Sequence, residues 1–145
     1  MKINPKSGIG ELLFGMKQPD VISIYGQPDK KFTDDEKNVI MVYNKQQFRL
    51  TFYEDEQFRM GYIISSNPEL EMFGHKAIGE PVEKLKELLI SNGFKMWEKE
   101  DFDITENHFN ESGWITLSSE FGRIVKVELG AIINDKDEFD WKFTK

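Results

Sequence analysis

Residues 47–53 carry the pattern that most restricts what this chain can become. Phe48, Leu50 and Phe52 alternate with Arg49, Thr51 and Tyr53, the period-two signature of a strand with one buried and one wet face. Similar strand-like runs lie on either side, at 38–43 and 58–65. Their separators, Asn44-Lys45-Gln46 and Glu54-Asp55-Glu56, are brief and polar, as hairpin loops are. Three consecutive antiparallel strands are therefore predicted.

A short helix should precede them. Pro19 suits the first turn, Val21, Ile24 and Tyr25 form an apolar stripe, and Gly26 supplies a stop. A second helix begins at Gly79-Glu80-Pro81, carries Val82, Leu85, Leu88 and Leu89 on one stripe, and ends at Asn92-Gly93. Beyond it, residues 95–99, 114–118, 123–129 and 139–143 read as strands, with an acidic loop after the first of them. The plan of one helix followed by a meander thus occurs twice. Sliding the chain by 64 residues places Gly15 on Gly79, Val21 on Leu85, Ile24 on Leu88, Arg59 on Arg123 and Ile63 on Val127. The expected fold class is α+β: two tandem helix-plus-antiparallel-meander repeats, about 1–68 and 69–145, forming one sheet-based domain.

The segment Ile9-Gly10-Glu11-Leu12-Leu13-Phe14-Gly15-Met16, followed by Val21 and Tyr25-Gly26-Gln27-Pro28, resembles the entry motif of the BLIP-like and SmpA/BamE-like superfamily. Ile78-Gly79-Glu80-Pro81 through Gly93-Phe94 is a more divergent second copy. The resemblance implies units that pack a helical segment on a small antiparallel sheet. In tandem they look like the beta-lactamase inhibitory proteins and several immunity-type proteins, whose work is binding another protein. The chain departs from the lipoprotein and secreted members in having no cysteine, hence neither a lipobox nor a disulfide pair.

Composition narrows the functional classes. With 26 acidic and 19 basic residues the formal net charge is -7, which opposes nucleic acid and anionic lipid and favours a basic partner. Thiol catalysis and Cys-based metal sites are excluded. The longest apolar run near the start, Leu12-Leu13-Phe14, is short for a secretory segment, and no run approaches a membrane span. A cytoplasmic protein is expected.

Catalytic and metal motifs are lacking. His75 and His108 sit in no ligand-type spacing, and both read as surface or locally bonded residues, His75 in a connector and His108 in a polar loop. The glycines at 8, 10 and 15 match no phosphate-binding loop, and residues 134–140 lack the central glycine and terminal glutamate of a calcium loop. Neither an enzyme nor a cofactor or metal is expected. What remains is a set of acidic runs with interleaved aromatic residues, suited to meeting a cationic protein. The candidate contact residues are Glu54, Asp55, Glu56, Glu98, Glu100, Asp101, Phe102, Asp103, Asp135, Asp137, Glu138, Asp140 and Trp141. Phe102 and Trp141 are taken as the exposed aromatic pair, and Trp97 and Phe139 as core. The leading expectation is an immunity protein that neutralises a basic toxin such as a nuclease. An adaptor subunit of a bacterial assembly is the alternative, and a histidine-dependent enzyme the least favoured.

Overall fold

A computed structural model of the chain describes residues 1–144. The first residues make three two-residue strands, β1 (Ile3–Asn4), β2 (Gly8–Ile9) and β3 (Leu12–Leu13), paired in that order. They hold Ile3, Ile9 and Leu12 in the interior. Helix α1 (Gln18–Tyr25) follows. Pro19 occupies its first turn, the Asp20 carboxylate accepts the Lys17 N–H at 2.9 Å, and Gly26 ends it at φ 80°, a conformation glycine adopts without a Cβ penalty.

Four strands then form a meander: β4 (Lys30–Thr33), β5 (Val39–Tyr43), β6 (Phe48–Tyr53) and β7 (Arg59–Ser65). A small hairpin, β8 (Glu71–Met72) and β9 (His75–Lys76), leads to helix α2 (Val82–Ser91). A second four-strand meander completes the sheet: β10 (Glu98–Phe102), β11 (Thr105–Asn110), β12 (Ile115–Glu120) and β13 (Arg123–Gly130). The two meanders join through their last strands into one antiparallel sheet of order β10-β11-β12-β13-β7-β6-β5-β4. At the junction Val127 pairs with Ser65 and Leu129 with Ile63. The fold is α+β and mostly sheet.

Alternation decides the faces. Met41, Tyr43, Phe48, Leu50, Phe52 and Ile63 from one meander, and Ile115, Leu117, Val127 and Leu129 from the other, are buried in a single cluster with Val21, Val82, Leu85 and Leu89 of the helices. The opposite face carries Arg49, Thr51, Tyr62, Ile64, Thr116, Lys126 and Glu128, where the Tyr62 hydroxyl donates to Glu128 Oε1 at 2.6 Å. The outermost strands, β4 and β10, are exposed at every position. Lysines 30 and 31 mark the first; Glu98, Glu100 and Asp101 mark the second.

Both helices and β5 to β7 fall within a residue or two of their predicted ranges. The second half requires corrections. The strand placed at 95–99 begins at Glu98, and the acidic stretch Glu98, Glu100, Asp101 and Phe102 is that strand rather than a loop. It pairs with β11, a strand that the polar sequence Thr-Glu-Asn-His-Phe-Asn conceals. The strand expected from Trp114 starts at Ile115, because Trp114 adopts φ 49° and leaves the sheet. Residues 139–143 form no strand. The Asn134 side chain accepts the N–H groups of Lys136 and Glu138 (2.8 and 3.1 Å), folding the acidic run into a tight loop closed by an Ile133–Phe139 bridge. The chain end is then tied down where Lys142 and Phe143 donate to the Phe14 carbonyl.

Candidate interaction site

The β4–β5 turn, the β6–β7 turn and the β11–β12 turn open at one end of the sheet, and the segment after β13 returns there. This follows from the antiparallel register of β7 and β13. A groove of about 1000 Å³ lies among these pieces. Its lining includes Tyr53, Gly61, Met96, Trp97, Phe109, Trp114, Ile133 and Phe139, with Lys95, Glu98 and Glu111 as charged groups. Met96 is 85% exposed, Ile133 53% and Trp114 41%. Three large apolar side chains therefore face water around one depression.

Two close approaches shape it. The Tyr53 ring lies against Gly61 of β7, and the Trp114 indole lies against Gly130 of β13. Any side chain at either glycine would collide with the ring. Each aromatic is braced by a neighbour: Phe139 stacks on Tyr53 with centroids 5.7 Å apart, and Phe109 meets Trp114 edge-on at 5.2 Å. Trp141 stacks on Phe139 at 4.7 Å and packs against the core. It is thus a support, not the exposed anchor expected of it. Phe102, 55% exposed, is the free one of that pair.

A smaller cavity of about 280 Å³ adjoins the groove and shares Tyr53 and Phe139 with it. Glu36, Asn38, Glu54 and Asp55 complete its lining. Asn38 Oδ1 accepts the Glu54 N–H at 3.0 Å, and Asp34 Oδ1 accepts those of Glu36 and Asn38, both at 2.9 Å. The carboxylates are thereby mounted on two cross-linked turns. Burial, with the negative charge of Asp55 and Glu36 added, pushes the Tyr53 phenol up to about 12.

Of the residues singled out in the sequence, Glu54, Asp55 and Glu56 form a 3-10 turn at this end, and Glu98 lines the groove. Asp135, Asp137 and Glu138 lie in the loop between Ile133 and Phe139, both of which line it too. Asp140 is paired with Lys142 at 2.9 Å. Asp101, Phe102 and Asp103 lie toward the β10–β11 turn, at the opposite end of the sheet. Glu100 is midway, and Lys99 reaches both Asp101 (3.9 Å) and Glu106 (3.6 Å). The acidic runs thus divide between two ends. Met96, Trp114 and Ile133 were not foreseen; their only signal was a large apolar residue beside a polar turn, which core residues share.

His75 is exposed on β9, whereas His108 is a buried residue of β11 rather than part of a polar loop. Burial, with the Lys86 charge added, lowers its imidazole below the usual range, against an opposing pull from Glu83 and Glu106. Both Ser119 Oγ and Glu106 Oε1 approach the same nitrogen, Nε2, at 3.5 Å, while Nδ1 has no partner. A nucleophile–base–acid relay needs its two neighbours on opposite nitrogens, so this trio is not arranged as one. Among the described residues no three His, Asp or Glu side chains are grouped to hold a metal, and no helix is long and apolar enough to cross a membrane.

No family model and no curated protein matches the chain. In structure it is similar to an extracellular protein containing a SCP domain from Bacillus anthracis str. Ames. The TM-score is 0.55 at 13% identity, over 89% of this chain and 50% of that one. The chain spans about half the length of that protein, and the likeness is one of fold.

Proposed function

We propose that this chain is an acidic protein-binding module of the immunity type, a cytoplasmic protein that neutralises a basic toxin domain, a nuclease being the leading case, by covering it. It acts by contact and not by turnover. The observation that carries the reading is the convergence of Glu36, Glu54, Asp55, Glu98 and the loop holding Asp135, Asp137 and Glu138 around a water-facing groove of aromatic and aliphatic side chains. Aromatic anchors within a charged rim are what a specific protein interface is built from.

The kinship with tandem BLIP-like and SmpA/BamE-like proteins, and the division into repeats of about 1–68 and 69–145, belong to the same proposal. Several pieces of geometry support it. Gly15 donates to the Met60 carbonyl at 3.0 Å and Met60 to that of Met16 at 2.7 Å. Sixty-four residues on, Gly79 donates to Ile124 at 2.7 Å and Ile124 to Glu80 at 2.9 Å. The same shift relates the Ser65–Val127 and Ile63–Leu129 pairs, which flank the Ile64–Glu128 pair on either side in the ladder. Both hairpins also break register, at Thr51/Phe52 and at Ser118/Ser119.

The water-facing apolar groove also favours an adaptor subunit, so salt should be the discriminating variable. Tagged protein is used to capture partners from its source cells at low and high salt, beside the charge-reversed Glu54→Lys/Asp55→Lys variant. The immunity reading expects one basic protein at a one-to-one ratio, weakened by salt and by the reversal. Retention of a multisubunit assembly indifferent to both would establish the adaptor instead, and an empty column would defeat the protein-binding reading.

A further inference from the structure

The groove and the acidic cavity meet at the stacked rings of Tyr53 and Phe139, which line both. One side of this partition offers exposed Met96, Trp114 and Ile133. The other offers Glu36, Glu54 and Asp55, and none of these three has an ion-pair partner among the described residues. Resting on the protein-binding reading above, we propose that the two depressions form one bipartite site for an extended segment of the partner, taking a bulky apolar side chain in the groove and a Lys or Arg two residues away in the acidic cavity.

The spacing follows from chain geometry. Residues i and i+2 of an extended segment project to the same side about 6.5–7 Å apart at the backbone, and long side chains diverging from there reach either side of the Tyr53–Phe139 pair, whose centroids are 5.7 Å apart. The carboxylates sit on turns already cross-linked by Asn38 and Asp34, so ordering them costs little on binding. The Tyr53 hydroxyl, kept protonated by burial and by the negative charge of Asp55 and Glu36, offers its oxygen as a neutral acceptor to the incoming cation. The apolar half is adjustable, because Met96 is an unbranched, polarizable side chain free to close over what enters.

Three acetylated, amidated pentapeptides serve as probes: Gly-Trp-Gly-Arg-Gly, Gly-Trp-Gly-Glu-Gly and Gly-Ala-Gly-Arg-Gly. Each is titrated into the isotopically labelled full-length protein by NMR. The first should shift the Trp114 indole N–H and the amides of Glu54, Asp55 and Phe139 together. The other two should bind at least about tenfold more weakly, as expected for loss of a close charge pair or of a buried aromatic. Glu54→Gln/Asp55→Asn should remove the preference for Arg over Glu, and Ile133→Glu should weaken all three; both variants change exposed positions and retain the wild-type spectrum elsewhere. Shifts confined to another surface, no shifts at millimolar peptide, or equal binding of the Arg and Glu peptides would overturn the proposal. If Ile133→Glu still captures the cellular partner as well as wild type does, the bipartite site is wrong while the binding module stands.

Discussion

Replacing Gly61 by alanine tests the partition at the centre of the proposed site. The Gly61 backbone is not in the left-handed region, so alanine should by itself stabilise by about 0.4–1 kcal/mol through the unfolded chain. The new Cβ, however, would overlap the Tyr53 ring, with Cδ2 at 2.6 Å and Cζ at 3.1 Å. The ring must swing away. Overpacking of this kind costs about 1–3 kcal/mol, and loss of the stack on Phe139 about 0.5–1.5 kcal/mol more. A net destabilisation of about 0.5–4 kcal/mol, centred near 2, is expected, and its centre moves the midpoint by roughly 1 M at typical urea m-values. Tyr53→Ala removes the obstacle, so in that background the alanine should be neutral or stabilising. Urea unfolding of wild type, both single variants and the double variant, followed by tryptophan fluorescence at 25 °C, gives the coupling energy directly. Additivity of the two substitutions within about 0.5 kcal/mol would refute the argument, because independent sites behave that way.

Titration of His108 gives a second expectation. Its folded-state affinity for a proton is lowered, so the unfolded chain binds more protons, and stability present above the ordinary histidine value is lost as pH falls through it. Urea midpoints between pH 8 and 5 should show that slope, and His108→Gln should flatten it; an unchanged slope would assign the titration elsewhere. Leu85, fully buried on α2, should cost about 2–5 kcal/mol when cut to alanine, read as a loss in denaturant midpoint. Asp101→Lys and Asp103→Lys should leave association with the partner unchanged while Asp55→Lys slows it several-fold, because the first two lie at the other end of the sheet. Stopped-flow mixing at two salt concentrations checks this.

What could be read from the sequence depended on whether a local signal also reported burial. Helix α2 was legible because Val82, Leu85 and Leu89 form a stripe that faces the core, and β6 because its alternation records one wet face and one dry face. Strand β10 lies at the sheet margin, where exposure leaves no apolar period to detect, and the buried positions of β11 are the polar His108 and Asn110; the pairing of Lys99 with His108 and of Glu100 with Asn107 is set by backbone bonds that side chains do not announce. The tail misled for the opposite reason. Phe139 and Trp141 alternate as strand residues do, yet they alternate because they stack on each other. The acidic residues of the site were visible singly; which of them share an end depends on the antiparallel joining of β7 to β13, a contact between residues more than sixty positions apart.

The two margins of the sheet are guarded by opposite charges: Lys30 and Lys31 on β4, and Glu98, Glu100 and Asp101, outnumbering Lys99, on β10. Free backbone N–H and C=O groups along an outer strand invite another strand to pair, and charged side chains discourage it. Two copies meeting β4 to β4, or β10 to β10, set like charges against each other along the new seam, which opposes pairing at either margin.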